Sequence, residues 1–480
     1  MLKPSKFGAH LSRAAWALPL IGVGAAVYLA ALPAKAQIAV RNQGYVPYSD
    51  APINYRSEPN DPVALLQKRI DQGQAKLVYD QDHGYLKSVL RLLKVPVDSQ
   101  TLVFSKTSFQ YPKISPDHPR ALYYNDDVYV GSVHEGKAIE IVSFDPTQGA
   151  IFYLLDERKA DKPVFQRAEL DCTQCHIAAG TRGVPGVLLR SVYPEPDGVL
   201  APHAPSSITD QKSPLKDRWG GWYVSGALGR YSMANAATAE VLPAAAAPTA
   251  SAPKLQPIKQ TFDPAAYLGL GSDQVALLVL AHQTQMHNLI TLTNYRTRLA
   301  LYALPDKGVQ VGGADAVAAL DALPETARKQ IEGPAEQLLR YLLFVGEAPL
   351  GGVDGRALIA SSAFARDFAA RGPRDGKGRS LRDFDLHDRI FRYPCSYLIY
   401  SSAFDALPEP AKGYVYHRLL QVLSGADQSA DFAALSALDR QAILSILLET
   451  KPGLPAEWQA YARSNHLRFA GLTPVAAHSD

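Results

Sequence analysis

Cysteine is scarce in this chain, with only 3 residues in 480, and methionine is equally scarce at 3. So few cysteines exclude a scaffold held together by disulfides. Two of the three nevertheless fall within four residues, at Cys172 and Cys175, directly before His176. The third, Cys395, lies in an apolar and aromatic run, FRYPCSYLIY, and we interpret it as a buried thiol.

A surplus of charge of either sign is also missing. The chain carries 49 basic and 46 acidic residues, and the basic residues Lys3, Lys6, Arg13 and Lys35 lie within its first 36 positions. Without them the rest of the chain is nearly neutral. This balance leaves no basic field of the kind that binds nucleic acid, so we expect no nucleic-acid partner.

Long apolar runs are missing except at the start of the chain. The basic stretch MLKPSKFGAHLSR is followed by the uncharged run AAWALPLIGVGAAVYLAAL and then by PAKAQ, which has the Ala-x-Ala pattern of a cleavage site. These three parts predict a secretory signal peptide at residues 1–36. The run is also long enough to span a bilayer, so a retained anchor stays the alternative. We expect a periplasmic or secreted protein, membrane-anchored if the segment is retained.

The pattern beyond the signal predicts two kinds of structure. Residues 37–99 indicate an N-terminal arm and short helices, one of them capped by Asp61 and beginning at Pro62. Residues 100–233 contain four segments rich in β-branched and aromatic residues, joined by short turns, which predict mostly antiparallel strands. The segments are TLVFSKTSF, ALYYNDDVYVGSV, AIEIVSF and AIFYLLDE.

The second half of the chain predicts helices. Residues 234–257 are almost entirely Ala, Pro, Ser and Thr, which indicates a linker or loop. Residues 258–480 show helical periodicity, most clearly in a long apolar segment that begins with Ser272 as the expected cap. The predicted fold class is α+β, with a β-rich domain of antiparallel strands followed by a mainly α-helical domain.

The motif C-x-x-C-H at Cys172, Cys175 and His176 is the attachment signature of c-type haem. On one helical turn, positions i, i+3 and i+4 share a face. Two thiols placed there can each add to a vinyl group of the porphyrin, while the histidine binds the iron. We therefore predict one covalently attached haem c with His176 as the proximal iron ligand. The cytochrome c maturation machinery and an unknown redox partner are the implied partners.

The motif has three other interpretations. A structural disulfide between Cys172 and Cys175 leaves His176 unexplained. A thioredoxin-like redox pair requires a βαβ setting with the motif at the start of a helix. A zinc site requires two more ligands at short spacing, and the sequence offers none nearby.

The residue on the other side of the iron decides between electron transfer and chemistry on a bound ligand. His282 and Met286 are four residues apart on the long predicted helix and share its apolar face. His282 is the leading candidate for a distal ligand, followed by Met286, His287 and more weakly Met233. A core role for each of these side chains is the alternative.

The surroundings of the haem suggest further candidates. We expect a backbone carbonyl to fix the ring of His176. The motif resembles that of small cytochrome c proteins, which use a proline carbonyl downstream of it, and this resemblance implies Pro185 in RGVPG as the candidate acceptor. Arg182 and Arg190 are the nearest cations for the haem propionates, followed by Arg218. Ordinary surface pairing is the alternative for each arginine.

Beyond the motif itself, the chain resembles a group of exported bacterial monohaem proteins of unassigned function. The resemblance covers much of residues 100–460 and rests on LVFSKTSFQ, NDDVYVG, DCTQCH with RGVPG and RSVYP, RWGGWYVSG, HQTQMHNL and FRYPCSYLIY. It implies haem c and export, but no reaction. The β-rich context of the motif departs from the small, all-helical cytochrome c domain.

Two functions are compatible with these patterns. The first, which we expect from the motif and the signal segment, is one-electron transfer in the periplasm by an exported c-type haem protein, and the second is the alternative to it. The second is a monohaem oxidoreductase or small-ligand sensor whose distal iron position is open or displaceable. The length of the chain favours the second, because a single small domain is enough for electron transfer. A protein in which the haem is only structural is a third class.

Overall fold

The structure is a computed structural model that describes residues 46–238, 254–258, 260–305 and 316–466. In this part of the chain, an antiparallel sheet of seven strands is combined with twelve helices, which confirms the predicted α+β class. The predicted signal segment, residues 1–36, lies outside the described residues. None of the described helices combines the length and the apolar character needed to cross a bilayer.

The main sheet has the strand order β6-β5-β4-β3-β2-β1-β9, and all of its neighbours pair antiparallel. Two small sheets, β7 with β8 and β10 with β11, complete the β-structure of the described residues. The strands are β1 (Thr101–Val103), β2 (Arg120–Tyr124), β3 (Val128–Ser132), β4 (Ala138–Asp145), β5 (Gly149–Asp156), β6 (Gln166–Arg167), β7 (Arg190–Ser191), β8 (Ser207–Ile208), β9 (Trp222–Tyr223), β10 (Ala236–Thr238) and β11 (Leu255–Pro257).

One predicted strand is in fact a hairpin. The segment ALYYNDDVYVGSV contains both β2 and β3, joined by a tight turn at Asn125. The Asn125 side-chain oxygen accepts hydrogen bonds from the backbone N–H groups of Asp127, at 3.0 Å, and Val128, at 2.8 Å. Such an Asx turn reverses the chain without glycine. It also places Asp126 and Asp127 in the turn.

The helices largely follow the predicted segments. They are α1 (Pro62–Asp71), α2 (Leu86–Leu92), α3 (Glu169–His176), α4 (Gln274–Tyr302), α5 (Ala316–Asp321), α6 (Glu325–Leu342), α7 (Gly355–Ser361), α8 (Ala363–Ala370), α9 (Ser402–Asp405), α10 (Glu409–Ser424), α11 (Ala437–Thr450) and α12 (Ala456–Ser464).

The caps of two helices were predicted, one correctly. Asp61 caps α1 by accepting hydrogen bonds from the N–H groups of Val63 and Ala64. The cap of α4 is Asp273, not Ser272. The Ser272 hydroxyl instead accepts a hydrogen bond from the N–H of Leu102 at 2.9 Å. It thereby ties the start of α4 to strand β1.

Alternation along the strands gives the main sheet two buried faces. Side chains such as Ile139, Ile141 and Ile151 pack on the N-terminal region, including α1 and α2. On the opposite face of the sheet, side chains such as Tyr129 and Phe152 pack in one core with α4 and the helices that follow it. The motif and its surroundings lie on this second face.

The β-rich and helical regions belong to a single compact unit that begins at Val46. They share one core, because buried side chains of α4 pack against those of strands β2 to β5. Both ends of the predicted linker, residues 234–257, are ordered as β10 and β11, which pair with each other. The residues between them, 239–253, lie outside the described part of the chain.

Candidate functional site

The motif lies on the short helix α3, which ends at His176. Cys172 is half-buried and packs against the core, Cys175 is exposed and His176 is half-buried. Since positions i, i+3 and i+4 of a helix share a face, the two sulfurs and the imidazole lie on the same side of α3. This is the placement that the sequence predicts for haem attachment.

The backbone of Gly186 fixes the ring of His176. Nδ1 of His176 lies 2.8 Å from the carbonyl oxygen of Gly186, and the N–H of Gly186 donates to the carbonyl of His176 at 3.0 Å. A carbonyl only accepts hydrogen bonds, so Nδ1 must carry the proton. The opposite nitrogen, Nε2, then has a free lone pair, and it has no hydrogen-bond partner among the described residues.

The expected acceptor for this bond was Pro185, and that detail of the prediction is wrong. The carbonyl of Pro185 instead accepts a hydrogen bond from the N–H of Ala150, in strand β5, at 3.2 Å. The acceptor is the next residue, Gly186. Pro185 therefore links the loop to the sheet, and its neighbour holds the histidine.

Burial keeps the imidazole of His176 neutral. It lowers the pKa of His176, and the nearby positive charge of Arg120 lowers it further. The hydrogen bond to Gly186 and the negative charge of Glu140 act in the opposite direction, but they do not outweigh burial. A neutral imidazole with a free Nε2 is the form that binds a metal.

The motif opens onto a cavity of about 440 Å³. Cys172, Cys175 and His176 form one wall of the cavity. The second face of the main sheet, the loop at residues 187–190 and two side chains of α4, Leu280 and Thr284, form the others. This volume lies within the usual range for sites that enclose a cofactor or a drug-sized ligand.

The wall provided by the sheet is mostly apolar and aromatic. Its side chains come from alternate positions of four neighbouring strands and lie directly opposite one another in the register. The cross-strand pairs are Leu122 with Gly131, Tyr124 with Tyr129, Val142 with Phe152 and Glu140 with Leu154. The Phe152 ring also contacts His176, with ring centroids 5.0 Å apart.

Three cations lie on the cavity wall. Arg190 was predicted from the sequence, whereas Arg120 and Lys106 were not. Arg190 donates to the Ser206 hydroxyl at 2.8 Å, and Lys106 pairs with Asp197 at 3.2 Å. Arg120 pairs with Glu140.

The other two predicted cations lie elsewhere. Arg182 does not line the cavity, and burial lowers its pKa while the charge of Asp210 raises it. Arg218 is completely buried and donates to the carbonyls of Ser213 and Gln211. Its role in this structure is to hold a loop, so the idea that it binds a propionate is not supported.

The predicted distal ligands do not reach the cavity. Leu280 and Thr284 face the cavity. His282 is two residues away from each of them, which corresponds to a rotation of about 200° around the helix axis, so its side chain points away from the cavity. Nδ1 of His282 lies 2.5 Å from Gln211 Oε1, and its Nε2 lies 2.7 Å from Ser396 Oγ. Both ring nitrogens are occupied, so His282 is a satisfied core histidine.

Met286 and His287 are also core residues. Met286 is fully buried in the apolar core and does not line the cavity. His287 lies behind the wall, where its Nδ1 is 3.0 Å from the Tyr129 hydroxyl and its ring packs at a tilt against that of Phe144. Met233 is buried beside Ser191, whose hydroxyl lies 3.8 Å from its sulfur, and is likewise absent from the wall.

Helix α4 contributes to the site in another way. The amide of Gln285 donates to the carbonyl of Gly180 at 2.9 Å. The amide of Asn288 binds the backbone of Val187 twice, accepting from its N–H at 3.0 Å and donating to its carbonyl at 2.7 Å. The helix therefore anchors both ends of the loop that follows α3, and with it the carbonyl that binds His176.

The geometry disfavours the other interpretations of the motif. The sheet is antiparallel and the cysteines are the fourth and seventh residues of α3 rather than its first residues, so the βαβ setting of a thioredoxin-like pair is not present in the described residues. Among those residues no group of three or more His, Cys, Asp or Glu side chains is placed to hold a metal ion, as a zinc site requires. Cys175 forms no disulfide with the described cysteines.

The residues around the cavity fit a haem. The wall is apolar, the two thiols and a neutral imidazole share one side, and the free Nε2 of His176 has no competing partner in the described part of the chain. Such a site supplies the sulfurs for covalent attachment and the nitrogen for the iron. The third cysteine behaves as predicted: Cys395 is fully buried, and burial raises the pKa of its thiol.

Comparison with known proteins gave no match among family models, curated proteins or solved structures. Inferences about function therefore depend on the site itself.

Several residues of the site were missed from the sequence alone. Arg120, Gly131 and Glu140 lie on three neighbouring strands, and only the register brings them together. Gln285 and Asn288 had a visible signal, because amide side chains are unusual on a helix that is buried nearly all around. A buried amide must find hydrogen-bond partners, and here the partners are in the loop that follows α3.

Proposed function

We propose that the chain binds one haem c, attached through Cys172 and Cys175, with His176 as the proximal iron ligand. The observation that carries the proposal is that this motif lines a largely apolar cavity and that Nδ1 of His176 is held by Gly186. The neutral imidazole keeps its Nε2 lone pair for the iron. The haem would supply one-electron redox chemistry and a position for an axial ligand.

The second axial position is the basis for choosing between the two functions. Histidine, methionine, cysteine and tyrosine are the side chains that commonly bind haem iron. Apart from the motif, no histidine, methionine or cysteine lines the cavity in the described part of the chain. The tyrosines of the wall have their hydroxyls engaged elsewhere: Tyr123 with Gln100, Tyr124 with Ala276, Tyr129 with Gln283 and His287, and Tyr153 with Asp61.

This lining favours an open distal position. We therefore propose a monohaem oxidoreductase or small-ligand sensor, and we rank it above one-electron transfer by a six-coordinate haem. Since haem c is attached outside the cytoplasm in bacteria, the proposal includes a periplasmic location.

The test is a titration of the purified, haem-loaded protein with carbon monoxide after reduction. An open position predicts immediate binding, seen as a shift of the haem absorption bands. Absorption bands that do not change would instead indicate a six-coordinate electron carrier. A protein purified without haem from cells able to attach it would contradict both functions.

A further inference from the structure

A buried ion pair crosses the cavity wall from one strand to another. Arg120 on β2 pairs with Glu140 on β4, and the intervening strand β3 contributes Gly131 between them. The side chains of Arg120 and Glu140 are only 18 % and 14 % exposed. Charges that are largely removed from water in this way are costly unless they are paired or bind a ligand.

Gly131 makes this arrangement possible. A Cβ atom at Gly131 would lie 2.5 Å from Nη2 of Arg120 and 2.8 Å from its Nε. The guanidinium therefore lies directly over the backbone of β3, in space that any other residue would occupy. Gly131 is the one glycine among the described residues that line the cavity.

Glu140 holds the guanidinium in place. Its Oε1 accepts hydrogen bonds from the Ser108 hydroxyl at 2.5 Å and from the Gln110 amide at 2.9 Å, while its Oε2 pairs with Arg120. Three donors leave this carboxylate little freedom to move. Glu140 is thus a positioning residue for Arg120.

The guanidinium retains unused hydrogen-bond donors. It has five N–H groups, and Glu140 is its only partner among the described residues. Its Nε is buried without a hydrogen-bond partner. Buried donors are satisfied in the great majority of cases, so unused ones at a cavity point to a ligand. Arg120 and His176 line the same cavity.

We propose that Arg120 binds small anionic ligands of the haem, or ligands that become negatively charged when they bind. This inference rests on the proposed function, because it requires a haem with an open distal position. The other two cations of the wall have partners outside the cavity, Asp197 for Lys106 and Ser206 for Arg190. The guanidinium of Arg120 would donate hydrogen bonds to the bound anion and neutralise its charge.

The experiment compares two probes on the haem-loaded protein: sodium fluoride with the oxidised form and carbon monoxide with the reduced form. Fluoride is anionic and accepts hydrogen bonds, whereas carbon monoxide is neutral. Arg120→Leu should weaken fluoride binding by about 10- to 100-fold, the effect of losing a hydrogen bond to a charged group. Its affinity for carbon monoxide should be nearly unchanged.

Two further variants complete the design. Gly131→Ala keeps every charge but displaces the guanidinium, so fluoride binding should weaken in the same direction and by a smaller factor. The clash involves the flexible end of a side chain, so this variant should fold even if Arg120→Leu does not. Arg158→Leu removes a positive charge from an exposed side chain that does not line the cavity and should change neither affinity.

The outcomes separate the two proposals. Equal fluoride affinity in wild type and both cavity variants would overturn the role of Arg120 and leave the open haem intact. A parallel loss of fluoride and carbon monoxide binding, or of haem itself, in Arg120→Leu would also overturn it, since Arg120 would then support the cofactor. A wild-type protein that binds neither probe would contradict the open position, and this inference would fail with it.

Discussion

Gly186 packs directly against Asn288: a Cβ atom on Gly186 would lie 2.1 Å from Asn288 Oδ1. Asn288 cannot easily move aside, because its amide is bound twice to the backbone of Val187. The same glycine carries the carbonyl that accepts the Nδ1 proton of His176. The position of the histidine is therefore set by a contact between the motif loop and helix α4.

Gly186→Ala should consequently disturb both the fold and the haem site. The methyl group should displace the loop, lower the free energy of unfolding by about 1–3 kcal/mol and weaken coordination by His176. Denaturant unfolding and the absorption spectrum of the haem-loaded protein measure the two effects. Gly333→Ala is the matched control: Gly333 is exposed in α6 and no atom beyond its chain neighbours lies within 4 Å of its missing Cβ, so alanine there should change the free energy of unfolding much less than at Gly186.

His282→Gln and Met286→Leu should leave the coordination of the iron unchanged. Neither side chain lines the cavity, since both lie on the opposite face of α4 from Leu280 and Thr284. The absorption spectra of the oxidised and reduced variants should match those of the wild type. A variant spectrum typical of a newly opened iron position would show that one of these residues is a distal ligand after all.

The stability cost of His282→Gln should depend on pH. Burial, with a smaller contribution from the charge of His287, lowers the pKa of His282 to about 3 in the folded protein, compared with about 6.5 when unfolded. At pH values between these two pKa values, His282 is protonated in the unfolded state but neutral in the folded state. The free energy of unfolding of the wild type therefore decreases as the pH falls. Glutamine does not titrate, and the difference in unfolding free energy between wild type and variant should therefore be about 2 kcal/mol smaller at pH 5 than at pH 7. A difference that is the same at both pH values would contradict a neutral, buried His282.

Asp61→Ala should destabilise the protein by about 2–4 kcal/mol. Asp61 is completely buried, caps α1 and accepts a hydrogen bond from the Tyr153 hydroxyl at 2.6 Å. Its loss would leave the helix end and a buried phenol of the sheet without partners. Asp263→Ala provides the comparison, because Asp263 is an exposed cap that accepts from one N–H group, and its loss should cost much less. If both substitutions lowered the free energy of unfolding by the same amount, the burial of Asp61 would not strengthen its cap of α1.

Features that depend on neighbouring residues in the chain were predictable from the sequence. The cap at Asp61 follows from the residues around it, and the predicted strands follow from runs of β-branched and aromatic residues between short turns. The helical spacing of the haem motif is equally local. The hairpin at Asn125 was missed because its turn contains neither glycine nor proline, the usual markers of a chain reversal.

Features that depend on the packing of distant segments were not predictable. The apolar pattern of α4 showed that His282 and Met286 share a face, but α4 is buried on nearly all sides, so the pattern did not show which face meets the cavity. Similarly, the pair of Arg120 and Glu140 depends on the register of three strands. One-residue differences, such as Gly186 in place of Pro185 as the acceptor, depend on the exact path of a loop.

The central claim is that haem is bonded covalently to Cys172 and Cys175. It is tested most directly by mass spectrometry of the denatured protein, produced in cells that can attach haem c. The account predicts a polypeptide that carries the mass of one haem, which is lost when both cysteines are replaced by alanine and retained in Cys395→Ala. A wild-type mass equal to that of the polypeptide alone would contradict the account.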